Sequence, residues 1–492
     1  MEEYKKLTKN KAQFERDLEI FGTVLVEKRL KFSTGGMRGL LREGFNGINA
    51  VTCNILCTHL AKAYSSVVIG YDCRKQSAEF GMIAASIFKK HNKKVYLYEH
   101  IATPCLSFLV KHLDVDIGLM ITASHNPKEY NGFKVYDAHG CQVSEPLDGE
   151  IEENLRNNET TNYSDAKIKI SLEETKPSRE EIILKYTENM FRGWKDSQMP
   201  TMQPSPLQKI LFTPLFGVSI DFVKQALTYY GLIDLFDFVS SQCKYDCEFP
   251  GLPYPNPEVE QVYDEAKSYP HNIIFSCDPD GDRFGMVEKI NGSYIHYCGD
   301  EIASIFIKYF IENFEHSSLV FINTYLCNDF MEDISKRFNI EYHRTKTGFK
   351  NVSKVINSVD KNKIIFAYED SLGFFFGGGR EKDGIKCTVL MAHILQNHSP
   401  SNILSSLKEY GNYTTFNYHY RCSNPKELLK NVIKRLTVRN LYDMFLIERE
   451  DHKLILRKSG TEPIIKIYGT SKVLNKKELE KKVLNFLEKN FK

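Results

Sequence analysis

Three carboxylates at alternating positions, Asp278, Asp280 and Asp282, stand in the run Asp278-Pro279-Asp280-Gly281-Asp282-Arg283. The run follows an apolar stretch, Asn272 to Phe275, whose pattern predicts a buried strand. Acidic side chains at this spacing beyond a strand end can converge on one point. Packed so closely, they repel one another unless a cation lies among them. An all-oxygen donor set suits a hard ion, Mg²⁺ or Mn²⁺, better than zinc. Arg283 adds a planar fork suited to phosphate. The loop reads as a metal site built to work on a phosphoryl group.

Rival readings differ in what they require. A helix–loop–helix calcium site wants glycine at its sixth position and a bidentate glutamate at its twelfth, where this chain has Arg283 and Lys289. A haloacid-dehalogenase-type phosphatase also begins Asp-x-Asp after a strand and uses the first carboxylate as nucleophile. The third aspartate here falls where such enzymes carry Thr or Val. A solvated acidic turn is the plainest alternative, but such turns seldom follow a buried strand with a Pro-Gly scaffold and a trailing arginine.

A second loop carries a hydroxyl. A predicted strand, Asp116 to Ile121, leads into Thr122 to Pro127, a loop that presents Ser124, and Asn126-Pro127 and Asn131-Gly132 are turn signals on either side of Lys128-Glu129-Tyr130. A serine after a strand is most often a helix cap. Here His125 and Lys134 supply proton carriers and charge around it. A serine hydroxyl is a weak nucleophile, and phosphoryl transfer through it needs cations to offset the accumulating charge.

Further loops follow predicted strands. Arg457-Lys458-Ser459-Gly460-Thr461-Glu462-Pro463 lies between the strands Leu454 to Leu456 and Ile464 to Tyr468. Glycine there frees the backbone to turn N–H groups inward, and Arg457 with two hydroxyls completes an anion cradle, although Ser-Gly-Thr also makes ordinary turns. Glu369-Asp370-Ser371-Leu372-Gly373 follows the strand Ile364 to Ala367, and its carboxylate and hydroxyl suit paired sugar hydroxyls or a simple strand-end turn. Thr347-Gly348-Phe349-Lys350 is similar to a short recognition loop and equally to a helix N-terminus.

These motifs, in this order, resemble those of the α-D-phosphohexomutases, the phosphoglucomutase/phosphomannomutase type, from about residue 30 to the C-terminus. The resemblance implies an α/β fold: three mixed-sheet α/β domains and a C-terminal α+β domain around a central cleft. The expected domains are 1–178 with the phosphoserine loop, 179–298 with the metal loop, 299–402 with the sugar loop and 403–492 with the phosphate loop. It further implies that Ser124 is phosphorylated at rest. One Mg²⁺ per chain is expected on Asp278, Asp280 and Asp282, with an oxygen on Ser124 completing the site and Arg283 in support. Thr347, Gly348, Glu369 and Ser371 match substrate-binding positions, and Arg457, Ser459, Gly460 and Thr461 match the loop for the substrate's non-reacting phosphate. In such enzymes the phosphoserine phosphorylates a sugar monophosphate, and the resulting 1,6-bisphosphate turns over and returns its other phosphate.

The N-terminal part is similar too. Phe32 to Gly39 resembles the family's entry segment, with Ser33 and Gly35 as departures; Arg38 there is expected to face the phosphoserine. Gly70-Tyr71-Asp72-Cys73-Arg74 resembles a family turn in which Arg74 supports the serine loop. Arg380 to Gly384 matches a segment whose lysine, here Lys382, touches phosphate, or else is a charged surface turn. Phe216 stands where the family usually has histidine, which removes one polar contact near the metal domain.

Composition agrees. A chain of 492 residues, 42% apolar, exceeds what one core usually holds. A net charge of +2 gives no reason to expect nucleic acid or acidic membranes as partners; small phosphosugars are the ligands that the resemblance implies. The twelve cysteines show no Cys-x-x-Cys pair, and the N-terminus lacks an apolar signal core. A reducing cytoplasm is the simplest setting. Lys476 to Lys482 reads as a solvated helix face. The expected activity is interconversion of glucose 1-phosphate and glucose 6-phosphate. Phosphopentomutase and phosphomannomutase are the alternatives, with a phosphatase or an inactive scaffold relative behind them.

Overall fold

The structure is a computed structural model that describes residues 1–32, 35–157, 160, 177–195, 198–201, 208–458 and 464–491. It divides into two compact units. The first comprises Met1–Tyr297, Gly348–Asn357 and Leu372–Asn397; the second comprises Cys298–Thr347, Ser358–Ser371 and His398–Lys492.

The first unit holds two five-stranded mixed sheets. One contains β1 (Gly36–Leu40), β2 (Ser66–Tyr71), β3 (Lys94–Tyr98), β4 (Ile117–Ile121) and β5 (Tyr130–Tyr136), in the order β1-β5-β4-β2-β3. The other contains β6 (Ile210–Thr213), β7 (Phe236–Phe238), β8 (Ile273–Cys277), β9 (Phe284–Ile290) and β10 (Ser293–His296), in the order β10-β9-β8-β6-β7. In each sheet three strands run parallel and a fourth turns back antiparallel, β5 on β4 and β9 on β8.

This repeat explains where the candidate serine and metal loops sit. β4 and β8 are the strands at which each sheet changes from parallel to antiparallel. Both are buried along their whole length, which accounts for the continuous apolar runs Ile-Gly-Leu-Met-Ile and Ile-Ile-Phe-Ser-Cys. The serine loop is the β4–β5 connection and the metal loop is the β8–β9 connection. Crossover helices cover the sheets. On the first sheet Val67, Ile69, Leu119, Ile121 and Phe133 pack with Leu56, Phe80, Ala84 and Ile87 from the helices Ala50–Ala63 and Ser77–Lys90. Each such large side chain contributes about 1.5–3 kcal/mol by burial, which holds the strand ends and their loops in place.

In the second unit β11 (Leu319–Thr324) runs parallel to both β12 (Glu341–Thr345) and β13 (Ile364–Glu369). The candidate sugar loop again begins at the end of such a strand, and the chain then enters β14 (Gly373–Phe376). The C-terminal sheet is antiparallel, with β15 (Thr414–Arg421), β16 (Arg439–Leu441), β17 (Met444–Glu448), β18 (Lys453–Lys458) and β19 (Ile464–Ser471) in the order β15-β19-β18-β17-β16. Leu429 and Val432 of the helix Pro425–Lys434 and Leu479 and Val483 of the helix Lys476–Asn490 join Ile447, Leu454, Leu456, Ile465 and Ile467 in its core. The lysines of Lys476 to Lys482 are exposed.

The fold is therefore three α/β domains followed by an α+β domain. All twelve cysteines are free thiols, most of them buried. Among the described residues no helix is long and apolar enough to cross a membrane.

Candidate active site

Ser124 is buried, with its backbone in the left-handed region at φ 54°. A non-glycine residue there costs about 1–2 kcal/mol, so the surroundings must hold it. They do so through Arg74, which donates to the carbonyls of Ser124 at 2.5 Å, Asn126 at 2.6 Å, Pro127 at 2.9 Å and Tyr130 at 3.2 Å. Asp72 anchors that arginine from behind. It accepts the Arg74 N–H at 2.9 Å and the Thr122 hydroxyl at 2.6 Å, and Thr122 Oγ1 in turn accepts the Ser124 N–H at 2.8 Å. Gly132, where the loop re-enters the sheet, has no room for a side chain: a Cβ would stand 2.4 Å from the Met37 carbonyl and 3.0 Å from that of Thr122.

The metal loop turns at Gly281, at φ 75°, whose N–H donates to the Asp278 carbonyl at 2.9 Å. It is held from outside as well. Val218 N–H donates to the Pro279 carbonyl at 2.8 Å and Gly384 N–H to the Gly281 carbonyl at 3.0 Å. The result brings one oxygen from each of Asp278, Asp280 and Asp282 within 4.8 Å of the others, all buried. Ser124 Oγ donates to Asp278 Oδ2 at 2.6 Å, so the two candidate loops meet at the hydroxyl.

Cations surround this cluster. Lys134 Nζ lies 2.6 Å from Oδ2 of both Asp280 and Asp282, and Lys382 Nζ lies 2.5 Å from Asp282 Oδ2. Burial and the two other carboxylates push the Asp278 carboxyl well up. For Asp282 burial acts the same way, but Lys134, Lys382 and Arg283 outweigh it and hold the carboxyl well below its ordinary range. For Asp280, burial and Asp282 are overcome mainly by Lys134, and its carboxyl is lowered. Burial would neutralise Lys134, yet Asp280 and Asp282 keep its ammonium charged. Oδ1 of Asp280 and Oδ1 of Asp282 are buried with no hydrogen-bond partner among the described residues. Two ionised, unpartnered oxygens beside a third carboxylate form a donor set that fits a hard divalent cation.

His125 Nδ1 is 3.2 Å from Ser124 Oγ, and Arg283 Nη2 approaches Nε2 at 3.5 Å. Burial, Arg283 and Arg38 hold its imidazole well below the ordinary value, so it is neutral near pH 7. Arg38 is exposed on β1 opposite Gly132, close enough to act on both His125 and Lys134. The charged-turn reading of Arg380 to Gly384 does not hold, because Glu381, Lys382 and Asp383 are buried. Glu381 accepts from Tyr136 Oη at 2.9 Å and Gln142 Nε2 at 2.6 Å, which fixes the segment that delivers Lys382.

Sequence reasoning missed Thr103 and Glu381. Thr103 contacts Asp280 directly, at 2.6 Å, and its only local signal is Thr-Pro at the start of the helix Thr103–His112. Phe216 is buried at φ 62°, and its carbonyl accepts from Cys73 Sγ at 3.3 Å, a backbone contact that does not depend on the missing histidine.

The remaining candidates belong mostly to the second unit. Glu369 and Ser371 are half-buried at the end of β13, flanking the buried Asp370, whose two oxygens each accept from Asn417 Nδ2 at 3.3 Å. Arg457, next to last in β18, is half-exposed and donates through Nε to Asp443 Oδ2 at 2.9 Å. Asp443 neighbours Tyr442, an aromatic 61% exposed whose ring lies 4.0 Å from Lys346 Nζ. Thr347 follows that lysine, and Gly348, at φ 97° and part of the first unit, precedes the helix Phe349–Ser358. Ser459, Gly460 and Thr461 lie outside the described residues, as does Ser33.

Four domains, with a buried serine against an acidic cation site, define a phosphosugar mutase of the α-D-phosphohexomutase architecture. Residues 29–162, 186–291 and 298–410 match, in turn, the alpha/beta/alpha domains I, II and III of phosphoglucomutase/phosphomannomutase. The chain belongs to this family. It is 30% identical over 427 residues to a probable phosphoribomutase of Schizosaccharomyces pombe, covering 80% of this chain and 72% of the relative. It is 31% identical over 408 residues to a phosphoglucomutase of Staphylococcus haemolyticus, covering 78% and 72%. The fold matches that of Paramecium parafusin, a phosphoglucomutase, with a TM-score of 0.73 over 94% of this chain and 95% of that one at 16% identity. It also matches an Aspergillus fumigatus N-acetylphosphoglucosamine mutase in complex with GlcNAc-6P and magnesium, with a TM-score of 0.55 over 98% and 99% at 13% identity.

Proposed function

We propose that this enzyme interconverts glucose 1-phosphate and glucose 6-phosphate through a phosphorylated Ser124 and a sugar 1,6-bisphosphate. The observation that carries this reading is Ser124 Oγ held 2.6 Å from Asp278, beside the unpartnered oxygens of Asp280 and Asp282. Asp278, Asp280 and Asp282 would hold Mg²⁺, which when bound supplies positive charge to the phosphoryl oxygens. The magnesium-bound relative supports that choice of ion.

In the forward half, the bond from phosphorus to Ser124 Oγ breaks as a bond to a sugar hydroxyl oxygen forms; that hydroxyl gives up its proton, and Ser124 Oγ takes one up as it leaves. His125, kept neutral, is the group able to take a proton; Lys134, kept charged by two aspartates, supplies charge instead. Arg38, Arg283 and Lys382 add cationic groups for the phosphoryl oxygens. In the return half, the bisphosphate presents its other phosphate to the same Oγ. Glu369 and Ser371 are assigned to sugar hydroxyls, Thr347 and Gly348 to substrate recognition, and Arg457, Ser459, Gly460 and Thr461 to the non-reacting phosphate. Free, largely buried thiols support a cytoplasmic setting.

Rates on glucose, mannose and ribose 1-phosphates, with and without added 1,6-bisphosphate, test the assignment. Glucose 1-phosphate is expected to give the highest kcat/KM, with turnover that responds to bisphosphate. Preference for ribose 1-phosphate would select the pentose reading, which the fission-yeast relative favours. Release of inorganic phosphate without isomerisation would overturn the mutase mechanism for this chain.

A further inference from the structure

The helix Thr103–His112 begins by touching the metal loop twice. Thr103 N–H donates to the Asp280 carbonyl at 2.8 Å, and its hydroxyl donates to Asp280 Oδ2 at 2.6 Å. Thr103 is fully buried. Holding the backbone and one carboxylate oxygen of the same residue leaves the side chain little freedom. The plane of the carboxylate is set, and with it the direction of the second oxygen. Lys134 Nζ reaches the same Oδ2 at 2.6 Å but divides itself between Asp280 and Asp282, and it also lies 3.3 Å from Thr103 Oγ1. Thr103 is bound to Asp280 alone among the three aspartates. The oxygen that Thr103 does not hold, Asp280 Oδ1, is the buried one with no hydrogen-bond partner among the described residues.

We propose that Thr103 is a positioning residue that aims Asp280 Oδ1 at the divalent cation, so that the serine-bearing domain helps to set the metal affinity of a loop belonging to the second sheet. Thr103 acts through Asp280 and touches no reacting atom. Hydrogen-bonding groups behind metal ligands fix ligand orientation, and their loss typically weakens metal binding by about 10–100-fold. The arrangement also couples two events: metal binds well only when the serine domain is docked on the metal loop, the same docking that places Ser124 against Asp278. The inference rests on the metal reading given under the proposed function.

The test is Mn²⁺ binding to full-length enzyme without substrate, followed by the electron paramagnetic resonance of free Mn²⁺, for wild type, Thr103→Val and Thr103→Ser. Thr103→Val keeps the shape and removes the hydroxyl, and is expected to weaken binding about ten-fold, at the lower end of that range. Thr103→Ser retains the hydroxyl and is expected to bind close to wild type. Should the valine variant fail to fold, Thr103→Ala read against Thr103→Ser makes the same comparison. Wild-type affinity in the folded Val or Ala variant overturns the positioning role and leaves the metal reading standing. Equal weakening in Ser and Val assigns the effect to packing and overturns it too. Absence of stoichiometric Mn²⁺ binding by wild type would remove the metal reading itself, and the inference with it.

Discussion

In the first unit Asp278, Asp280 and Asp282 are fully buried and share Lys134, Lys382 and Arg283. In the second, the ion pair of Arg457 with Asp443 leaves 30% and 58% of the two side chains exposed. The same chemical pairing has different consequences in these two places. Removing one partner of a buried pair strands a charge in a low-dielectric interior and costs about 3–5 kcal/mol. A surface pair contributes about 0–1 kcal/mol and is screened by salt. The serine and metal loops are thus fixed before any ligand arrives, which suits transfer chemistry that depends on position. The half-exposed loops of the second unit leave residue changes there inexpensive in stability.

The sharpest way to break this contrast is Ser124→Ala. It is expected to abolish mutase turnover with the circular dichroism spectrum unchanged, and peptide mapping should find phosphate on Ser124 in wild type only. Near-native turnover in the variant would place the transfer elsewhere. Next comes Arg74→Ala, which strands Asp72 and frees four carbonyls; a stability loss of about 3–5 kcal/mol is expected in urea unfolding. Lysine at this position should not restore it, since an ammonium lacks the fork that spans those carbonyls. Lys134→Met leaves Asp280 and Asp282 facing each other with only Lys382 and Arg283 to compensate. The variant should melt lower than wild type in chelator, and Mg²⁺ should raise its melting temperature more than it raises that of wild type. An equal metal effect on both would show that Lys134 is not a local counter-charge. The smallest effect on stability belongs to Arg457→Ala, within about 1 kcal/mol, whereas KM for the phosphosugar should rise more than kcat falls. A large stability loss there would erase the distinction between the two regions.

Much of the site can be read along the chain because it is built from local repeats. An apolar run, a sharp turn and an antiparallel return occur at Ile117–Ile121 and again at Ile273–Cys277, and each turn carries candidate site residues. Strand ends read from the pattern fall within three residues of those observed, for example Asn272 against Ile273 and Tyr468 against Ser471. Where the pattern left two readings open, distant contacts decided between them. Arg380 to Gly384 is rich in charge and looks like a surface turn, yet Glu381 is buried against Tyr136 and Gln142 from another domain, so its charge serves an interior network.

Residue types and their spacing along single loops therefore pointed to the kind of chemistry: a hydroxyl and three carboxylates, each just beyond a strand end. Which oxygens are capped and which are left open for an ion was decided only when the domains came together. Thr103 and Lys134 lie 177 and 146 positions from Asp280 in sequence, and contacts that span such distances leave no periodicity in a chain. They exist because two twisted sheets, each ending in a turned-back strand, dock their loop edges against one another.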